Sequence, residues 1–219
     1  MSATTTAELL RPGLLEGVSI MLACAAGSTT LRDALADSAQ ATSARLTECG
    51  LPVEEEPFAL RLREQGPPDL LVVDSAGVFA AAGGPARTAL GRTMQLTWEV
   101  TRLVTGALIE QQRPGRIVFV APAEGGGRGD PHTGADVSGA DTSAADTSAA
   151  DTRTHVRATR AGLENLARTT SIEWARYGIT IVTILPGAEA PPESLAALCA
   201  YLASPAGSYF SGCVLALDR

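Results

Sequence analysis

The sequence predicts an α/β fold, a parallel sheet covered by helices on both faces. Three observations predict it. Short apolar runs bounded by Gly, Pro or charged residues recur along all 219 residues, as strands buried on both faces require. Longer amphipathic stretches alternate with those runs, as crossover helices do. The 45% apolar content belongs to a globular chain, and with aromatics at only 4% the core must be built from Ala, Leu, Val and Ile. The chain is read as a single domain over 1–219, with a flexible tail at 1–13.

The elements follow in order. Val18–Ala23 is a short buried strand running into Cys24-Ala-Ala-Gly-Ser-Thr-Thr30 and an Ala/Leu/Arg helix that fades near Gly50-Leu-Pro52. Glu54–Pro57 is a charged connector. Phe58–Gln65 is an amphipathic helix stopped by Gly66-Pro-Pro68. Asp69-Leu-Leu-Val-Val73 is a strand, and Ala86–Gln111 a long helix. Gly115–Ala121 is the next strand. A second long helix spans Val156–Tyr177, with Gly178 as its stop. Gly178–Pro186 is a strand, Glu193–Ala203 a helix and Cys213–Leu217 the closing strand.

Between the two long helices lies a pentapeptide repeat: Asp136-Val-Ser-Gly-Ala, Asp141-Thr-Ser-Ala-Ala, Asp146-Thr-Ser-Ala-Ala and Asp151-Thr. With no apolar face to bury, it reads as part of a low-complexity loop over 133–153. Its Asp spacing lacks the ligand pattern and glycine of a calcium loop.

The formal charge of −7 argues against a general nucleic-acid surface. All basic residues are Arg; the chain has no Lys. Cys24, Cys49, Cys199 and Cys213 contain no CxxC pair, so no metal site is expected and the thiols read as reduced. No apolar run reaches the roughly 20 residues that span a bilayer. A cytoplasmic location, with no membrane contact, is the expectation.

The second half resembles the short-chain dehydrogenase/reductase family. The stretch His155-Val-Arg-Ala-Thr-Arg through Ile184-Leu-Pro-Gly187 is similar to the family's catalytic helix and the strand after it. Asp69-Leu-Leu-Val-Val-Asp-Ser-Ala-Gly77 is similar to the strand that ends in Asn-Asn-Ala-Gly. The resemblance puts the family's catalytic Tyr at Val156, its Lys at Arg160, its Ser at Pro122 and its Asn at Gln95. It puts the glycine-rich turn at Cys24, Gly27, Ser28 and Thr30. A valine has no hydroxyl to exchange a proton, and an arginine fork is not a compact ammonium.

The resemblance therefore implies a degenerate, non-catalytic member that binds no cofactor of its own. The fold it implies is a Rossmann-like three-layer, doubly wound parallel sheet truncated in its first half, since Thr30–Asp69 reads as too short for two βα crossovers, with a strand or helix missing. Only Ala188–Pro192 stands where the family carries a substrate lid. The helices near 86–111 and 156–177 match the family's pairing helices and carry Trp98 and Trp174, which either anchor an interface or pack inside the domain.

The leading expectation is a subunit that pairs through those helices with an active homologue carrying NAD or NADP, whose substrate class would be a hydroxyacyl or ketoacyl thioester. One alternative is a homodimeric small-ligand or regulatory module. Another is an oxidoreductase with relocated residues, drawn from His155, Arg157, Arg160 and the repeat serines.

Overall fold

In the computed structural model, the described residues are 10–124 and 142–218, with side chains described from 149 onward in the second stretch. Six parallel strands form one sheet. They are β1 (Ser19–Ala25), β2 (Arg45–Leu51), β3 (Leu70–Asp74), β4 (Gly115–Val120), β5 (Ile179–Pro186) and β6 (Cys213–Leu217). Their order is β2-β1-β3-β4-β5-β6. The helices are α1 (Thr30–Thr42), α2 (Glu55–Gln65), α3 (Ser75–Ala81), α4 (Ala86–Glu110), α5 (Thr142–Trp174) and α6 (Pro192–Ala203).

Helices cover both faces of the sheet, because the middle strands have no polar face to turn toward water. Every residue of β1 and β3 is buried. One apolar layer joins Val73, Phe119 and Ile181 to α2, α4 and α5 through Leu62, Val104 and Leu163. The other joins Leu22, Val72 and Ile184 to α1 and α6 through Leu35 and Cys199. Each fully buried Leu, Val or Ile in these layers contributes about 1.5–3 kcal/mol.

The three-layer α/β architecture is as the sequence predicts, but the first half differs in detail. Thr30–Asp69 holds α1, β2 and α2 and no second strand, in keeping with the expected loss of a strand or helix in that segment. The link between α1 and β2 is tight: Ser43 takes a left-handed conformation and β2 begins at Arg45. The same shortening shows in the sheet order. One strand flanks β1 on its outer side, where the 3-2-1-4-5-6 dinucleotide fold has two. Glu55 and Glu56, read as connector, form the first turn of α2, where carboxylates oppose the positive helix end.

Three further corrections follow. Of the expected tail 1–13, Leu10 packs against the α1/α6 layer with Leu14, ahead of the fully buried Leu15. Residues 1–9 lie outside the described residues. β1 continues through Ala25, so Cys24 belongs to a strand, paired with Gly50, and not to the turn.

The expected loop over 133–153 is helical from Thr142, as the head of α5. Ala is the strongest helix former, and a helix already nucleated by packing propagates cheaply through an Ala-rich stretch. Thr154 donates its hydroxyl to the Ala150 carbonyl at 2.9 Å within that head. Residues 125–141, including the first repeat unit, lie outside the described residues.

Candidate functional site

In open parallel sheets, ligands bind beyond the carboxyl ends of strands where the chain direction of the crossovers switches. Here that point lies between β1 and β3. A crevice of about 320 Å³ opens there, lined among others by Ser28, Thr30, Asp74, Gly77, Gly187 and Leu195.

The turn after β1 is brief. Gly27 has φ of 84°, a conformation glycine adopts freely, and α1 starts at Thr30. This turn brings Ser28 against the end of β3. Its hydroxyl donates to Asp74 Oδ2 at 2.5 Å, while the Gly77 N–H donates to Asp74 Oδ1 at 2.8 Å. Asp74 is buried, so these donors offset the cost of taking a carboxylate out of water.

A side chain at Gly77 would push this pair apart. A Cβ there would lie 2.3 Å from Asp74 Oδ2 and 2.6 Å from Ser28 Oγ. Sequence reasoning placed Gly77 in a family motif but missed the three-residue knot. Asp74 caps α3, a helix the sequence did not reveal; the Asp-Ser-Ala-Gly run was its signal, since Asp at an N-cap accepts from the third residue on.

Two of the four positions matched to the family's catalytic residues meet at the ends of β4 and β5. Arg160 Nη1 donates to the Pro122 and Pro186 carbonyls, each at 2.8 Å, and its Nε lies 3.9 Å from Glu124. Burial lowers the guanidinium's pKa from its ordinary value, while Glu124 and Asp218 pull it back up. Arg160 therefore ties the two strand ends together. Val156, one turn earlier on α5, is buried and offers only methyl groups. Pro122 contributes a backbone carbonyl and no hydroxyl.

Gln95 stands apart, exposed on α4, and its amide donates to Glu99 at 2.8 Å. Cys24 lies in the apolar layer under α1, where burial raises its thiol, with Asp74 and Glu48 adding to the effect.

Trp98 and Trp174 stack on each other, with ring centroids 6.2 Å apart and planes 16° from parallel. The pair is an internal contact between α4 and α5 that keeps a surface, since Trp98 is 40% exposed. His155 is held by Asp151, with Nδ1 2.8 Å from its carbonyl and 3.3 Å from its carboxylate. Among the described residues no helix is long and apolar enough to cross a membrane, and no three His, Cys, Asp or Glu side chains cluster as metal ligands.

No protein-family model and no curated protein matches the chain. Solved structures do. A short-chain dehydrogenase from Mycobacterium smegmatis is 20% identical with a TM-score of 0.71, covering 100% of this chain and 98% of that one. The citronellol catabolism dehydrogenase of Pseudomonas aeruginosa PAO1 is 20% identical with a TM-score of 0.63, covering 96% and 97%. BdcA from E. coli is 18% identical with a TM-score of 0.56, covering 93% and 100%. At such identities the likeness carries the fold alone: this chain has the fold of the short-chain dehydrogenases.

Proposed function

We propose that the chain is a non-catalytic member of the short-chain dehydrogenase/reductase family, a subunit that pairs with an active, NAD(P)-dependent homologue. The single observation that carries this reading is the use of Arg160. The side chain at the family's Lys position is spent on two backbone carbonyls, beside a buried valine at the Tyr position. A carbonyl reduction needs a phenol or equivalent acid within hydrogen-bond reach of the substrate oxygen. Neither Val156 nor Pro122 supplies one.

Two features of the switch point argue against a dinucleotide. A pyrophosphate calls for free donors at a helix N-terminus and a backbone that can approach closely. The Ser28 hydroxyl is committed to Asp74, and the Asp74 carboxylate adds negative charge to the crevice floor. The pairing role draws on the outer face of α4 and α5, where Trp98 is partly exposed and Ile172 is 80% exposed. Large aromatics of this kind anchor interfaces.

The test has two arms. The purified chain is titrated with NADH and NADPH by calorimetry; no saturable heat is expected, and micromolar binding would overturn the reading. It is then co-expressed with an intact homologue of the same genome and its mass measured in solution. A defined hetero-oligomer is expected, and a stable homodimer that ignores the homologue would overturn the subunit role.

A further inference from the structure

β2 forms one edge of the sheet. It pairs with β1 in an unbroken register from Arg45 to Leu51. The Arg45 N–H donates to the Val18 carbonyl at 2.9 Å, so Arg45, Thr47, Cys49 and Leu51 turn their backbone groups toward β1. By alternation, Leu46, Glu48 and Gly50 turn theirs outward. Among the described residues no backbone group bonds to them there. A Cβ added at Gly50 would meet nothing within 4 Å. The strand carries no Pro, Lys or bulge, three devices that ordinarily blunt such an edge.

We propose that this edge takes an extended segment of a partner protein as an added strand, one in which acidic and apolar residues alternate. The two faces of β2 decide that pattern. On one face, Cys49 and Leu51 belong to the apolar layer that includes Phe58 and Leu62 of α2, and Arg45 shares that face by alternation. Arg61 of α2 reaches the edge there, with Nη1 and Nη2 each 3.5 Å from the outward Glu48 carbonyl, beyond the ordinary length of a hydrogen bond. Neither Arg45 nor Arg61 is in an ion pair among the described residues.

Arg45 and Cys49 lie about 13 Å apart along the strand. Carboxylates at alternate positions of an added strand therefore face both guanidinium groups. On the other face, Leu46 is half-buried against the α1/α6 layer and offers carbon surface to an apolar residue beside it. Backbone hydrogen bonds along the edge supply affinity, and the alternating side chains supply specificity.

The probe is the labelled peptide Thr-Glu-Val-Glu-Val-Glu-Thr, blocked at both ends and read by fluorescence anisotropy with the full chain. Saturable binding in the micromolar range is expected, and the same peptide with Lys in place of Glu should bind at least tenfold more weakly. N-methylation of one alternating set of its backbone nitrogens should abolish binding, and of the other set should change it less than threefold, because only one set faces β2. Glu48→Pro removes an outward N–H that β1 does not use and should abolish binding. Arg45→Gln/Arg61→Gln should erase the preference over the Lys peptide.

The N-methylated peptides leave the protein unaltered, so they decide the matter even where Glu48→Pro does not fold. No binding at millimolar peptide, equal effects of the two N-methylated sets, or equal affinity for the Glu and Lys peptides would each overturn the proposal. So would self-association of the chain alone that Glu48→Pro abolishes, since a second copy would then occupy the edge. These readouts involve neither nucleotide nor homologue, so their failure leaves the subunit reading untouched, and the converse holds.

Discussion

Ser28 Oγ lies 2.5 Å from Asp74 Oδ2, joining the turn after β1 to the end of β3 across the switch point of the sheet. The contact converts the place where this fold ordinarily receives a ligand's negative charge into one that already holds a carboxylate.

Removing that donor should be felt as lost stability. Ser28→Ala leaves Asp74 with the Gly77 N–H as its remaining donor in this knot, at a cost of about 1–3 kcal/mol. Urea unfolding reads the change. A midpoint equal to the wild type would show that solvent replaces the hydroxyl, and would contradict the closed turn.

The Arg160 clamp makes a parallel demand. Arg160→Ala deprives the Pro122 and Pro186 carbonyls of a charged donor and should cost about 1.5–3 kcal/mol. Val156→Tyr/Arg160→Lys restores the family's acid and its lysine in name, yet should not oxidise NAD(P)H with any carbonyl substrate, because the turn at Ser28 is unchanged. The nicotinamide absorbance at saturating ketone checks this; turnover above background would mean that the crevice admits the cofactor.

Alkaline pH offers a test of the α1/α6 layer. Burial pushes the Cys199 thiol up to about 12 from an ordinary value near 9. Above pH 9 the unfolded chain releases this proton and the folded chain retains it. The stabilisation is therefore complete below about pH 9 and declines as pH rises toward about 12. Between pH 9 and 10, wild type should lose on the order of 1 kcal/mol more than Cys199→Ala. Parallel pH slopes for the two proteins would refute the burial effect.

The stacked tryptophans separate folding from assembly. Such a pair contributes about 0.5–1.5 kcal/mol beyond its buried area, so Trp98→Ala should leave a folded chain. If the α4/α5 face pairs with a homologue, the same change should weaken the complex by about 2 kcal/mol or more, as hot-spot aromatics do. Analytical ultracentrifugation with the co-expressed partner distinguishes the cases: an intact complex would remove Trp98 from the interface.

By itself the sequence determined the middle of the sheet, the long helices and the side chains that stand at 122 and 156. Leu70–Val73, Ile117–Val120 and Ile179–Ile184 read as strands because both of their faces are buried and their apolar runs are nearly unbroken. Val156 and Pro122 were equally legible, since a side chain without a hydroxyl lacks one in any fold.

Tertiary structure decided the rest. β2 sits at the sheet edge with Arg45, Thr47, Glu48 and Gly50 exposed, so its pattern is diluted by solvent-facing residues, and only pairing with β1 makes it a strand. From Thr142 onward the repeat is helical because α5 is already nucleated by packing below it. The Ser28–Asp74 contact spans 46 residues, and Arg160 reaches carbonyls 38 and 26 residues away. Distances in space of that kind are set by strand order and crossover length, which local propensity does not encode.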